Sequence, residues 1–165
     1  MKKLVLLFVF CFAFARMVQA EESYVRVFIP ESTPQWPIPF DTEVKVNFSR
    51  EGADTQNEFN TTTNEFIAKH KGKYLVVTGV RYTGVSQNGD YCISIRSNSA
   101  GQGVVKCEKA PETTSSQFGV DLNASAIIQL NANQKIWVTV NHLTSSNPTL
   151  YWRDEVTYLH IIEAD

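Results

Sequence analysis

Residues 73–82 read KYLVVTGVRY, a run dense in Val, Thr and Tyr that carries no helical stripe. Side chains of an extended strand alternate between two faces. Tyr74, Val76, Thr78, Val80 and Tyr82 therefore share one face, and Leu75, Val77 and Gly79 share the other. Both faces are largely apolar, whereas an antiparallel strand commonly turns one face to water. VTYLHII (156–162) has the same character, with Leu159 and Ile161 on one side and Val156, Tyr158 and Ile162 on the other. Something must cover the second face. The strand pattern leaves two covers open, a neighbouring subunit or a loop of the same chain.

The rest of the chain repeats the theme. Short stretches rich in Val, Ile, Thr, Tyr and Phe are separated by Asn, Ser, Gly and Pro. Strands are predicted at 24–29, 43–48, 65–68, 73–82, 91–96, 103–108, 117–122, 125–130, 135–142 and 156–162. Ten strands in one domain exceed a small barrel, so the expected fold is all-β, a ten-stranded jelly-roll sandwich of two antiparallel sheets. PESTPQWPIPF (30–40) holds four prolines. Proline withdraws ladder donors, so this segment reads as an irregular arm, with Trp36 a candidate anchor.

The chain opens with MKK, the apolar run LVLLFVFCFAFA and then VQA before Glu21. That order is a secretory signal peptide, and the run is too short and wrongly flanked to span a membrane. Residues 1–20 are expected to be removed, leaving residues 21–165 as a secreted, extracellular domain. A formal net charge of −2, with charges scattered, speaks against a nucleic-acid partner. No Lys or Arg run suggests a membrane surface, and no membrane insertion is expected.

Removal of the leader takes Cys11 and leaves Cys92 and Cys107. YCISIRS and GVVKCEK flank the turn-like NSAGQG. A hairpin centred between Ser99 and Ala100 sets the two cysteines opposite each other, within bridging reach in an antiparallel pair. A secreted chain favours the disulfide. Two free buried thiols, or a hairpin in another register, are the alternatives. Two Cys without CxxC spacing do not make a zinc set.

Phe48, Asp54, Phe59, Phe66, Gly72 and Tyr74 form a ladder with SREGA, TQNE, NTTTNE, IAKHK and Lys73 between the rungs. Gap for gap this resembles the signature of the globular head of complement component 1q, a tumour-necrosis-factor-like jelly roll. PIPFD (37–41) looks like that family's opening strand, NASAIIQLNANQKIWVTV (123–140) like its paired later strands, and DEVTYLHII (154–162) like its closing strand. Val76 and Thr78 stand where the family has aromatics. Asn133-Gln134 replace its Gly-Asp turn, and Glu155 and Thr157 replace its closing Phe and Gly. Asn accepts the left-handed conformation better than most residues. Loss of the Asp weakens any inherited calcium site. The resemblance implies a homotrimer with apolar inner sheets facing one another, which favours a subunit over a loop as the missing cover. The aromatic rungs also make sense alone: Phe59 and Phe66 can pack from a short hairpin, Gly72 frees the turn, and Tyr74 opens the long strand with a buried ring.

No catalytic constellation is present. His70, His142 and His160 are far apart and lack metal-ligand spacing, and no GxSxG elbow occurs. His160 reads as a satisfied core or interface group. The chain is read as non-enzymatic, without cofactor or metal. Tyr151, Trp152, Arg153 and Asp154 are the candidate ligand-binding residues, since aromatics beside Arg in a loop suit a binding hot spot or a sugar face. The alternative is structural, with Trp152 capping the core and Arg153 pairing with Asp154. Asn47, Asn60 and Asn123 open glycosylation sequons. The resemblance implies a secreted recognition module binding microbial-surface, glycan or protein ligands in innate defence. A receptor-clustering ligand of the tumour-necrosis-factor kind and a structural surface or matrix component are the alternatives.

Overall fold

A computed structural model describes residues 22–30, 37–101, 103–110 and 119–164. Residues 1–21, with Cys11 and the expected signal peptide, and residues 31–36, with Trp36, lie outside the described residues. The described chain contains twelve strands: β1 (Tyr24–Phe28), β2 (Val44–Lys45), β3 (Arg50–Asp54), β4 (Phe59–Asn60), β5 (Glu65–Ile67), β6 (Gly72–Thr83), β7 (Asp90–Ser97), β8 (Gly103–Lys109), β9 (Val120–Leu130), β10 (Lys135–Leu143), β11 (Thr149–Leu150) and β12 (Tyr158–Ala164). They form two antiparallel sheets. In sheet I, β9, β6, β12, β1 and β3 are paired in that order, and β11 joins the far end of β6. In sheet II the order is β4, β5, β10, β7 and β8, with β2 also on β10. This is the expected all-β sandwich.

Besides the two short added strands β4 and β11, the strand list departs from the sequence reading in four places, each with a physical cause. Residues 120–122 and 125–130 merge into the single strand β9, because NAS continues the ladder opposite Gly79, Thr78 and Val77; residues 117 and 118 of the expected strand lie outside the described residues. β3 was not expected. REGAD offers no apolar alternation, yet it pairs with β1, and a Cβ on Gly52 would come within 2.6 Å of the Phe28 ring that rests over it. EVKVNF shrinks to the two residues of β2, although the Val46 N–H still donates to the Val138 carbonyl. PIPFD is no strand. Asp41 sits at φ +48° and Phe40 projects into solvent, while backbone hydrogen bonds tack the segment down on either side of Phe40, the Ile38 N–H donating to the Pro148 carbonyl and the Asp41 N–H to the His142 carbonyl.

The inner faces of the two sheets close the core. Tyr74, Val76, Thr78, Val80 and Tyr82 of β6 are all buried, as the alternation requires. Phe59 and Phe66 pair across the β4–β5 hairpin, and Phe66 meets Tyr74 edge-on with ring centroids 5.2 Å apart. Asp54 shapes the turn into that hairpin, accepting the Glu58 and Phe59 N–H groups at 2.9 and 2.8 Å. Tyr82 pins one sheet to the other. Its hydroxyl donates to the Cys92 carbonyl at 2.6 Å and accepts the Asn141 N–H at 3.2 Å. Gly72 serves space rather than a turn. It lies within β6, and a Cβ there would come within 2.6 Å of the Glu163 carboxylate.

Candidate functional site

The outer face of sheet I is laid out in rows by its register. Ile127, Leu75, Ile162 and Tyr24 form one row across β9, β6, β12 and β1. Ser125, Val77, His160 and Arg26 form the next, and Asn123, Gly79, Tyr158 and Phe28 the third. The apolar residues inferred for the uncovered faces of β6 and β12 thus lie side by side, except Val156, which falls in a turn before β12. Ile127 is 67% exposed and Ile162 is 38% exposed. Ile127 went unnoticed in the sequence, although the inward parity of Ile128 and Leu130 fixes its outward direction.

The β1 side of this face is covered by its own chain. Phe28 is buried beneath the Arg26 guanidinium, which sits 4.7 Å from the ring centroid. Among the described residues, the β9–β6–β12 side has no such cover. There Tyr158 lies over Gly79, where a Cβ would come within 2.7 Å of the ring, and its hydroxyl donates to Asn123 Oδ1 at 3.2 Å. His160 stands between Tyr158 and Phe28, with ring centroids 5.0 and 6.4 Å away. Its buried Nε2 has no hydrogen-bond partner among the described residues. Burial, and then the Arg26 charge, lower the pKa of His160 from its ordinary value.

The loop from Tyr151 to Asp154 joins β11 to β12. Tyr151 and Trp152 stack with centroids 5.6 Å apart, and the Arg153 guanidinium lies 5.6 Å from the Tyr151 ring. Trp152 packs against the core, as the structural reading expected. Asp154, however, pairs with Arg50 of β3 at 3.2 Å rather than with Arg153. The result is a braced aromatic step with one exposed guanidinium on it. Such a step offers a cation and a ring edge to a ligand.

Other singled-out residues are structural or dispersed. Cys92 and Cys107 face each other in the β7–β8 ladder and form the disulfide, with Cα atoms 4.1 Å apart. Phe48, Phe59, Phe66 and Tyr74 are core. Asn133 adopts φ +68°, the conformation expected of it at the β9–β10 turn. Asn47 is half-buried beyond β2, Asn60 is exposed on the β4–β5 hairpin, and Asn123 is exposed on the outer face of sheet I. His70 binds Glu163, and His142 is buried with Nε2 2.7 Å from the Ile38 carbonyl. Among the described residues, no three His, Cys, Asp or Glu side chains gather to hold a metal. No helix among them is long and apolar enough to cross a membrane.

Two antiparallel sheets in this order, with one apolar outer face, define a jelly roll of the complement-1q and tumour-necrosis-factor type. The globular domain of zebrafish complement 1qA protein superposes with a TM-score of 0.58 at 17% identity, over 86% of this chain and 96% of that one. Murine APRIL at pH 5.0 gives 0.61 at 12%, over 87% and 100%. Eiger TNF from S. frugiperda gives 0.58 at 10%, over 87% and 93%. At such identities the likeness is one of fold. The family is set by sequence: the C1q domain model matches residues 27–156, and the chain belongs to the C1q domain family. No curated protein matches it.

Proposed function

We propose that this chain is a secreted, non-enzymatic recognition module that works as a homotrimer, with the outer faces of sheet I turned toward one another. The observation that carries the reading is the contiguous band of Leu75, Val77, Ile127 and Ile162, left uncovered on a face whose buried His160 Nε2 lacks a partner among the described residues. Exposed apolar residues scattered singly are ordinary, whereas a contiguous patch marks a contact surface. Withdrawing the 67% exposed Ile127 from water contributes about 1–2 kcal/mol per copy, and the less exposed Leu75, Val77 and Ile162 contribute less each. Membership of the C1q domain family supports the same reading, because such domains commonly assemble in threes and bind extracellular ligands.

The loop Tyr151–Asp154 is the proposed ligand contact, and a glycan on a microbial surface is the first ligand to test. Three equivalent loops on one assembly give avidity even when each contact is weak. The fold is shared with APRIL and Eiger TNF, so a receptor-clustering ligand is the second reading. Light scattering on the secreted chain tests the assembly, with three times the chain mass expected; a single chain at micromolar concentration overturns it. A glycan array with wild type and Arg153→Ala tests the ligand. Glycan binding that the variant loses supports the recognition reading. Saturable binding to cells, with the array blank, replaces it by the receptor reading.

A further inference from the structure

Asn123 is a sequon residue that faces outward from β9, in the row it shares with Gly79 and Tyr158. Its Oδ1 is held by the Tyr158 hydroxyl, so the amide is fixed by its carbonyl end. Nδ2, the atom to which a sugar attaches, is the other end, and the residue is exposed. Along the same face come Ser125 and then Ile127, the latter about 13 Å away at strand rise. The other two sequons lie elsewhere. Asn60 is on sheet II, its Oδ1 accepting the Thr62 and Thr63 N–H groups at 2.9 and 3.0 Å, and Asn47 lies beyond β2 of that sheet. An oligosaccharide is bulky and hydrated. Rooted at Asn60 or Asn47 it leaves sheet I clear. Rooted at Asn123 it stands on the apolar band.

We propose that Asn123 is a modification site whose occupancy decides whether the chain associates: an N-linked glycan there keeps the chain single. The inference rests on the association reading given above. The chemistry is that of the secretory pathway. Asn123 Nδ2 displaces a lipid diphosphate from the anomeric carbon of its linked oligosaccharide. The C–N bond forms, the C–O bond breaks, and the amide proton leaves with the lipid diphosphate. Because transfer can precede folding, the two forms partition by assembly instead of being chosen by it.

The test secretes the full chain from a eukaryotic host and separates it by size with light scattering. Occupancy of each sequon is then read by mass spectrometry after enzymatic deglycosylation, which converts a glycosylated Asn to Asp. Expected are Asn123 occupied in the single-chain fraction and bare in the trimer, with Asn60 equal in both. Asn123→Gln should move single-chain material into the trimer. Ser125→Thr, which makes a better acceptor, should reduce the trimer share severalfold. A glycan on Asn123 within the trimer overturns the inference, and so does an empty Asn123 in both wild type and Ser125→Thr. Asn123→Gln that stays single at every concentration overturns the association reading itself and the inference with it.

Discussion

The outer faces of the two sheets solve different problems with the same backbone. On sheet II, Glu65 bridges Lys45 and Lys135 at 2.8 Å each, and Glu43 binds Arg96 at 2.6 Å and the Thr139 hydroxyl. Lys45 also lies 5.4 Å from the centre of the Trp137 ring. These groups cover the strands with charge and need water around them. On sheet I, Arg81 and Asp121 pair at one end, and the rows beyond them run from Asn123 and Gly79 to Ile127, Leu75 and Ile162. The outer face of sheet II is laced with charge, whereas the rows of sheet I beyond Arg81 and Asp121 carry mostly apolar and small polar groups. On the proposed reading the sandwich has one wet side and one side that takes a contact.

The sharpest way to break this comparison is a charge on each side. Ile127→Glu alters a side chain that is already 67% exposed, so the single chain keeps its fold. In a trimer it forfeits three buried isoleucines and adds three carboxylates, more than about 5 kcal/mol. Complete loss of the trimer by light scattering is expected. Val105→Glu on sheet II changes a residue that is 55% exposed and should leave the mass unaltered. Equal behaviour of the two variants would dissolve the distinction between the faces. Next in size is Phe66→Ala, which empties the contact of Phe66 with Tyr74 between the sheets. A cost of about 3–5 kcal/mol is expected, with both faces losing protection together in hydrogen exchange.

The Cys92–Cys107 bridge joins two strands of sheet II, β7 and β8. The bridge closes a segment of 15 residues in sequence separation, for which the loop-entropy model gives about 3 kcal/mol. A lower melting temperature with unchanged trimer mass is expected. Loss of the trimer on reduction would mean that β8, which packs against β9, also holds the outer face of sheet I in place.

Much of this was legible because period-two patterns are local. Tyr74 to Tyr82 announced an inward face, and the hairpin arithmetic placed Cys92 opposite Cys107 before any coordinate did. What stayed hidden depends on partners distant in sequence. REGAD becomes β3 only because Phe28 and β1 lie beside it. Asp154 chooses Arg50, a partner 104 residues away, over its neighbour Arg153. The rows on the outer face of sheet I also need the β6–β9 and β6–β12 registers, which the sequence of any one strand does not hold.

Acid sharpens the comparison further, because the two faces titrate in different windows. Hydrogen bonds from Lys135 and Lys45 hold the Glu65 pKa down at about 2, against 4.5 ordinarily. A depressed carboxylate contributes stability that is present above pH 4.5 and lost as pH falls through about 2. The lysines are 35% and 38% exposed, so the full shift is discounted for solvent screening to about 1–2 kcal/mol. Glu65→Gln should cost that much at pH 7 by urea denaturation. Its stability should also decline less than that of wild type between pH 4.5 and 2.

The smallest effect belongs to sheet I. His160 is held neutral by burial and by Arg26, so its pKa in the folded chain lies below the ordinary 6.5. The unfolded chain then binds the proton more readily, and stability falls as pH drops below 6.5 until the folded pKa is reached. The chain holds two other histidines, His70 and His142, so the measurement is a difference. Urea midpoints of wild type and His160→Gln are compared at pH 7.5 and 5.5, both in the Ile127→Glu background to keep assembly out of the reading. Wild type should lose more on acidification than the glutamine variant. Identical losses would show that protonating His160 costs the folded chain nothing, and that its environment is wetter than the packing of Tyr158 and Phe28 around it implies.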